Sequence, residues 1–164
     1  MTSIHQDQLR IQTSGRGFTE LTESARQFAH ACQVHQGLLT VFMHHTSASL
    51  ILCKNADEQV LRDLEGWMQR AIPDGDPIFR HTAEGPDDMP AHVRSVLTAS
   101  SLSLPVVSGR LDLGTWQGLY LYEHRVAPHR RRVASESSGP SLSALRCSPT
   151  SRSSCCPRTP RTGR

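Results

Sequence analysis

The stretch that decides the fold is Leu38-Leu39-Thr40-Val41-Phe42-Met43, a short run of apolar and branched residues. Such a run is typical of a strand in the centre of a sheet. It leads into a polar segment, residues 44–49, and then into a second apolar run, Leu50-Ile51-Leu52. The sequence therefore predicts two strands joined by a short connection that carries polar side chains.

Amphipathic helices are predicted on both sides of these strands. One runs from Thr22, as its N-cap, to about Val34, with Gly37 as the residue that stops it. The other begins after Asp57, whose side chain is suited to capping. Its apolar residues recur at helical spacing, and we expect them to be core: Val60, Leu61, Leu64, Trp67, Met68 and Ala71.

Shorter elements complete the pattern. A third helix is expected from Pro90 to about Thr98, because proline suits the first helical turn. Ser108-Gly109 predicts a two-residue hairpin turn. The remaining strands are expected at residues 8–13, 102–107, 110–113 and 119–122. This order, rich in strands with two to three helices, favours an α+β fold with a mixed or antiparallel sheet.

The composition changes after Val133, where a tail rich in serine and arginine begins. Residues 134–164 contain nine serines, five arginines, four prolines and one acid, which is a disordered composition. This tail carries a charge of +4, so residues 1–133 carry −1 of the +3 of the whole chain. We therefore expect a single domain over residues 1–133, with no surface for nucleic acid.

The sequence also indicates the cellular compartment of the protein. No apolar run approaches the roughly twenty residues of a membrane span, and no basic region followed by an apolar stretch indicates a secretory signal. Cys32 and Cys53 are expected to be reduced, structural thiols, because no cysteine spacing indicates a metal site or a disulfide framework. We expect a cytoplasmic protein without membrane contact.

The densest group of reactive side chains lies in residues 79–92, which read FRHTAEGPDDMPAH. Four prolines and two glycines interrupt residues 73–90, so neither a helix nor a strand can continue there. Long loops inside compact domains are usually functional or disordered. Because this loop joins two well-patterned segments, we expect the chemistry of the protein to lie in it.

Three histidines are candidate metal ligands. His45, His81 and His92 are predicted at a strand end, in a loop and at a helix start, from which side chains can converge. Imidazoles and carboxylates together suit a divalent ion, and the carboxylates available are Glu84, Asp87, Asp88 and Glu123. Two alternatives stay open. In the first, the histidines are surface residues that only form hydrogen bonds. In the second, the paired acids only interact favourably with the dipole of the following helix.

Four motifs, in order, resemble the YjbQ family, whose members are often described as secondary thiamine-phosphate synthases. They are His45-Thr46-Ser47-Ala48, Asn55-Ala56-Asp57 with Asp63, the segment 81–92, and the stretch from Ser101 through Gly109 to Gly114-Thr115-Trp116-Gln117-Gly118. The resemblance covers about residues 4–133. It implies an α+β fold, a mostly antiparallel sheet or sandwich, assembled as a homotrimer.

The resemblance also implies a site. A divalent metal ion, Zn or Mg, would be held by His45, His81 and His92. The catalytic residues would be His81, His92, Asp87 and Asp88, and the substrate would contact Thr115, Gln117 and Glu123. We add Arg94 as a phosphate contact, because a guanidinium binds phosphate bidentately. The implied activity joins hydroxymethylpyrimidine diphosphate to a thiazole phosphate and releases pyrophosphate, so the partner is a small phosphate-bearing molecule.

Two other functions fit the same residues. One is a metal-dependent hydrolase, in which bound water attacks a phosphate or an amide and Asp87, Asp88 or Glu84 acts as the base. The other is a non-catalytic trimeric protein that binds a metal ion or a small anion.

The chain departs from the family pattern at its last strand. Members of the family continue from the basic run 130–132 into an apolar closing strand, whereas residues 133–140 here read VASESSGP. We therefore expect this strand not to develop and a sheet edge to be left unpaired.

Overall fold

Residues 2–141, the part of the chain that the computed structural model describes, form two sheets and three helices. The strands are β1 (Thr2–Gln12), β2 (Gly17–Glu20), β3 (Gln36–Met43), β4 (Ala48–Lys54), β5 (Ser101–Val107), β6 (Arg110–Leu111), β7 (Gln117–Glu123) and β8 (Arg130–Pro140). The helices are α1 (Thr22–Ala31), α2 (Glu58–Ala71) and α3 (Asp88–Leu97). One sheet has the order β1-β8-β3-β5-β6 and the other β2-β7-β4, with antiparallel pairing throughout. The predicted α+β fold is confirmed.

The core is built from alternate residues of the central strands and from one face of α1. Leu39, Val41 and Met43 of β3 are almost completely buried, whereas Leu38 and Phe42 face outwards. A sheet that covers a core with one face requires this alternation. Strand β3 pairs with β5 on one side and with β8 on the other, so the predicted central strand is confirmed.

The last strand corrects the prediction for the C-terminal part of the domain. Strand β8 continues past Val133 to Pro140, pairing with β1 along its whole length and with β3 over residues 133–138. Its inward positions after Val133 are Ser135, Ser137 and Gly139, and all three are buried. Backbone hydrogen bonds to two neighbouring strands stabilise a segment whose side chains do not look like those of a strand. The predicted boundary at residue 133 therefore falls inside β8. Met1 and residues 142–164, with the rest of the predicted tail, lie outside the described residues.

Helix α1 differs from its prediction at both ends. Leu21 occupies the N-cap position, and the hydroxyl of Thr22 instead accepts a hydrogen bond of 3.0 Å from the backbone N–H of Leu119 in β7. The helix ends at Ala31, and the predicted stop, Gly37, lies inside β3. Tertiary contacts with the neighbouring sheet have thus replaced the local cap.

Helix α2 begins where predicted, but its apolar stripe is not core. The Asp57 carboxylate caps it by accepting a hydrogen bond of 2.9 Å from the backbone N–H of Gln59. No residue of this helix is buried, and Trp67 is 56% exposed. A cavity of about 660 Å³, whose lining includes Phe18 and Tyr120, separates the helix from β2 and β7. Of the predicted apolar stripe only Leu61 lines this cavity, whereas Leu64 and Trp67 are exposed, so the stripe does not form part of the core.

The loop and the helix after it follow the prediction. Helix α3 begins at Asp88, so Pro90 lies in its first turn and His92 close to its N-terminus. Ser108 and Gly109 have φ angles of 53° and 75°, which suit a tight hairpin turn between β5 and β6.

Among the described residues, the longest helix has 14 residues, and none has the length and apolar character that a bilayer crossing requires.

Candidate metal centre

Helix α3 and the loop before it bring together two imidazoles and one carboxylate. Asp88 and His92 are one helical turn apart and therefore lie on one face of α3. Oδ2 of Asp88 lies 3.2 Å from Nε2 of His92 and 3.0 Å from Nε2 of His81, which the loop supplies. The Asp88 side chain is only 2% exposed, whereas those of His81 and His92 are 48% and 31% exposed. The site thus has a buried base and two imidazoles that open to solvent.

The ring of His92 is oriented by the backbone. Its Nδ1 lies 2.9 Å from the carbonyl oxygen of Thr46, which can only accept, so Nδ1 carries a proton. The neutral ring therefore turns an unprotonated Nε2 towards Oδ2 of Asp88. Two lone pairs at 3.2 Å need a positive charge between them, either a proton or a metal ion. Metal-binding histidines commonly donate their other ring N–H to a carbonyl in this way.

The spacing of these atoms also suits an ion. Ligand atoms that each lie 2.0–2.2 Å from a zinc ion are about 2.8–3.6 Å from one another, with the shorter distances in octahedral and the longer in tetrahedral geometry. Both nitrogen-to-oxygen distances at Asp88 fall in that range. The set of two imidazoles and one carboxylate therefore fits a divalent ion in chemistry and in spacing.

Arg125 holds the acidic side of the site. Its Nη1 donates to Oδ1 of Asp88, its Nε donates to Asp87 at 3.1 Å, and its Nη2 donates to the backbone carbonyl of Glu84 at 2.6 Å. The guanidinium thus uses most of its donors within the protein. It leaves Oδ2 as the free ligand atom of Asp88.

Asp87 supports the site through its contacts with Arg125 and Val126. Burial alone would raise its pKa, but the backbone N–H of Val126 and the Arg125 guanidinium outweigh this effect, so the pKa of Asp87 lies below its usual value. Its carboxylate remains charged and anchors the segment after β7 against the loop.

A buried ion pair lies behind this site. Arg131 of β8 and Glu123 of β7 are at most 1% exposed and make two hydrogen bonds, of 2.5 and 2.6 Å. Thr13 and the backbone N–H of Arg125 also donate to the Glu123 carboxylate. The Glu123 carboxylate, for which a substrate contact is predicted, is therefore fully buried and bonded to internal partners.

His45 lies outside the group of ligands, which corrects the predicted set of three histidines. Among residues 2–141, the group of side chains whose ligand atoms are close enough to share one ion consists of His81, Asp88 and His92. Nδ1 of His45 instead accepts a hydrogen bond of 3.1 Å from the backbone N–H of Ser47. The structure replaces His45 by Asp88 in the candidate centre.

The structure also gives Arg94 a role different from the predicted phosphate contact. Its side chain is fully buried, with Nη1 3.1 Å from Glu65 of α2 and Nη2 3.1 Å from the carbonyl of Ile72. A guanidinium in this position ties α3 to α2 and does not reach a phosphate.

Thr115 and Gln117 remain exposed candidates at the other end of the molecule. Gln117 begins β7 and Glu123 ends it, which separates them by about 20 Å at the rise of an extended strand. Within one chain, these two residues are therefore not part of the centre at His81 and His92.

A buried cluster connects β7 to the helices. The Tyr122 hydroxyl donates to Glu65 at 2.5 Å, and the ring of His124 packs at 4.2 Å against that of Tyr122. His124 is fully buried, with Nε2 2.9 Å from the Ser49 hydroxyl and Nδ1 without a partner among the described residues. Burial, with the charges of nearby arginines, lowers the pKa of His124 to about 3.

A cavity of about 320 Å³ opens beside the metal centre. His81 lines it together with apolar residues of the loop, among them Phe79, Pro86 and Met89. A polar group beside a small apolar cavity is typical of a site for a small molecule.

Sequence reasoning missed the roles of Arg131 and Arg125. The signal for Arg131 was its alternation with Val133, which puts both side chains on the covered face of β8. No comparable signal existed for Arg125, because its partners are about 40 residues away in the chain.

The comparisons with known proteins agree with each other. The family model described as "UPF0047 protein YjbQ-like" matches residues 7–139. A UPF0047 protein of Synechocystis is 47% identical over 135 residues, or 82% of this chain and 92% of the relative. The UPF0047 protein YjbQ of Escherichia coli O157:H7 is 42% identical over 79% of this chain and 94% of its own length.

Solved structures extend the likeness to the fold. A conserved protein of Thermus thermophilus is 34% identical, with a TM-score of 0.68 over 78% of this chain and 97% of that one. A protein of Sulfolobus solfataricus described as "YbjQ-like" has a TM-score of 0.79 over 85% and 100% of the two chains. At 18% identity it supports the fold alone.

Proposed function

This chain belongs to the YjbQ-like UPF0047 family, and we propose that it is a metal-assisted transferase of the thiamine-phosphate synthase type. It would join hydroxymethylpyrimidine diphosphate to a thiazole phosphate and release pyrophosphate. The observation that carries the proposal is the convergence of the His81 and His92 Nε2 atoms on one oxygen of Asp88. A reaction that expels a diphosphate needs a concentrated positive charge to stabilise the leaving group. A metal ion held by these three side chains would supply that charge.

His81, Asp88 and His92 would hold the ion. Two imidazoles with one carboxylate favour Zn²⁺, because Mg²⁺ prefers oxygen ligands. When bound, the ion would neutralise charge on the diphosphate leaving group. In the proposed reaction the thiazole nitrogen attacks the methylene carbon, the bond from that carbon to the diphosphate oxygen breaks, and pyrophosphate leaves with the electron pair.

Arg80 is the guanidinium that we propose for the diphosphate. It precedes His81 in the chain, is exposed, and makes no ion pair within residues 2–141. Arg125, by contrast, is occupied by Asp87, Asp88 and the carbonyl of Glu84. A free guanidinium beside a bound ion suits a phosphate group.

The cavity beside His81 supports a small, ring-shaped substrate. Its volume of about 320 Å³ and its apolar wall of Phe79, Pro86 and Met89 suit a flat heteroaromatic ring. A pyrimidine placed there would have its diphosphate near the ion.

The experiment combines metal content with turnover. Zinc in the full chain is measured by mass spectrometry for the parent and for His81→Ala, His92→Ala and the double variant, and pyrophosphate release is followed with both substrates. We expect near-stoichiometric zinc in the parent, and loss of zinc and turnover in the double variant. A double variant that keeps the parent's activity would refute the proposal.

A hydrolase is the second candidate, and the exposure of Glu84 favours it. Its side chain is 68% exposed, and its ion pair with Arg125, at 3.8 Å, is longer than those of Asp87 and Asp88, so among the three predicted bases it is the least constrained. Asp87 and Asp88 are both held by Arg125. Phosphate release from a simple ester without a thiazole acceptor, lost in Glu84→Gln, would favour this candidate over the transferase.

A homotrimer and a cytoplasmic location belong to the same proposal. The apolar side chains that α2 leaves exposed, Leu64 and Trp67 above all, support association of several copies. Cys32 and Cys53 are free thiols, in keeping with a reducing compartment. Light scattering on the purified chain tests the trimer, and a trimer that Trp67→Glu dissociates is the expected result.

A further inference from the structure

The segment His45-Thr46-Ser47 lies between the metal centre and the buried ion pair. The carbonyl of Thr46 faces His92, and the hydroxyl of Ser47 faces Arg131. His45 is exposed, and its Nε2 has no hydrogen-bond partner within the described residues. These three residues therefore link the candidate metal centre to the buried pair of Arg131 and Glu123.

The directions of the hydrogen bonds at Ser47 follow from its partners. Arg131 can only donate, so the Ser47 hydroxyl accepts from its Nη2 at 3.1 Å. That hydroxyl also lies 3.0 Å from Nδ1 of His45, and its own proton is free to point there. The backbone N–H of Ser47 donates to the same nitrogen at 3.1 Å.

Both donors fix the tautomer of His45. A ring nitrogen that receives an N–H and an O–H bears a lone pair, so the proton of the neutral ring is on Nε2. His92 has the opposite arrangement, because its Nδ1 donates to Thr46, so Nε2 is the nitrogen that carries the lone pair in the neutral ring. One short segment thus sets two neighbouring histidines in opposite tautomers, one able to bind a metal ion and one unable to.

We propose that His45 is a substrate-binding residue that donates its Nε2–H to an oxygen of the phosphate or diphosphate held at the metal centre. The donor assignment follows from the contacts of Ser47, and the identity of the acceptor rests on the proposed function. Phosphate oxygens at neutral pH mainly accept hydrogen bonds, so they complement a ring that can only donate from this atom.

The surroundings keep this donor uncharged. Burial, and then the charge of Arg131, lower the pKa of His45, and a charge on His92 acts in the same direction. A neutral imidazole can donate to the leaving group without adding a third positive charge beside an ion and an arginine. Because Glu123 pairs with Arg131, the arginine can orient Ser47 without an unpaired buried charge.

The first experiment reads the tautomers directly. Long-range ¹H–¹⁵N NMR spectra of the ring nitrogens are recorded on the full chain at neutral pH, with peaks assigned from His45→Gln and His92→Gln. We expect His45 to show a proton-bearing Nε2 and His92 a proton-bearing Nδ1, in both metal-free protein and protein with added Zn²⁺. A metal-bound or unprotonated Nε2 of His45 would overturn the proposal, whether or not the protein turns over any substrate.

The second experiment tests the acceptor with inorganic pyrophosphate as the probe. Its affinity for the zinc-loaded chain is measured by calorimetry for the parent, His45→Ala and His45→Gln, with zinc content measured in parallel. We expect full zinc content in both variants, about 10-fold weaker binding in His45→Ala, and partial recovery in His45→Gln, whose amide offers an N–H in a similar place. Loss of zinc in His45→Ala, equal pyrophosphate affinity in all three proteins, or no binding by the parent would overturn the substrate contact. Failure of the transferase assay alone leaves these outcomes unaffected, so the two proposals fail separately.

Discussion

Asp88 and His92 lie one turn apart on α3, and Oδ2 of the carboxylate is 3.2 Å from Nε2 of the imidazole. This distance requires a positive charge at the contact, because the proton of the neutral ring is held on the opposite nitrogen by the carbonyl of Thr46. The helix therefore presents two of the three side chains of the candidate metal centre in a preformed geometry, and the loop adds His81.

Removing the charge of Asp88 should abolish tight metal binding. Asp88→Asn keeps the shape of the side chain but loses a charged ligand, so we expect zinc affinity to fall by at least about 100-fold, since even partners outside the ligand shell cost 10–100-fold. Competition with a chelating dye measures the change. Asp87→Asn is the control, because Asp87 contacts Arg125 and Val126 but neither imidazole. An equal loss in both variants would mean that charge near the site, and not ligation by Asp88, governs affinity.

Arg125 should act through the orientation of Asp88. Arg125→Lys keeps a positive charge but cannot contact both carboxylates and the carbonyl of Glu84 together, so we expect zinc affinity about 10–100-fold below that of the parent. Arg80→Lys, on the exposed side, should leave zinc affinity unchanged. Parental affinity in Arg125→Lys would show that its charge alone matters.

The buried pair of Arg131 and Glu123 gives a prediction for stability. Arg131→Met leaves Glu123 as an uncompensated buried carboxylate, which costs about 3–5 kcal/mol of unfolding free energy. Adding Glu123→Gln should recover part of this loss, because a neutral amide of similar shape needs no counter-charge. Urea denaturation at one protein concentration measures both variants. Equal stability of the single and double variants would contradict the explanation that an unpaired buried carboxylate causes the loss.

His124 should make stability depend on pH. Its pKa is about 3 in the folded chain and near 6.5 when unfolded, so between these values the unfolded state binds the extra proton. Stability from this residue is therefore complete above pH 6.5 and is lost as the pH falls, by about 2 kcal/mol between pH 7 and pH 5. Urea denaturation of the parent and of His124→Gln at both pH values isolates the effect. A difference between the two proteins that does not change with pH would exclude it.

The close approach of β3 and β8 predicts a strong effect at Gly37. A Cβ at this position would lie 2.0 Å from the carbonyl oxygen of Ser138, so Gly37→Ala should destabilise the fold by about 1–3 kcal/mol. Gly66 in α2 is the matched control, since a Cβ there would meet no described atom within 4 Å and alanine favours a helix. Gly66→Ala should add about 0.5–1 kcal/mol. Thermal unfolding of both variants measures the difference, and a neutral Gly37→Ala would argue against the pairing of β8 with β3.

Local patterns were sufficient for part of the candidate site. Asp57 as a helix cap, the hairpin at Ser108-Gly109, and the position of His92 near the start of α3 depend on neighbours within a few residues. The spacing of Asp88 and His92 likewise follows from helical geometry alone. In contrast, the carbonyl of Thr46 that orients His92 is 46 residues away in the chain.

The amino-acid sequence by itself determined the family, the order of the elements, the central strand β3 and the loop that carries His81, because alternation, turn residues and motifs are local properties. Only the tertiary structure decided that β8 continues through serines to Pro140, since its stability comes from backbone pairing with β1 and β3 and not from its own side chains. The tertiary structure also decided that Arg94 and Glu123 are internal partners and that His45 is a donor. The role of a polar side chain depends on which groups the fold places within hydrogen-bonding distance of it.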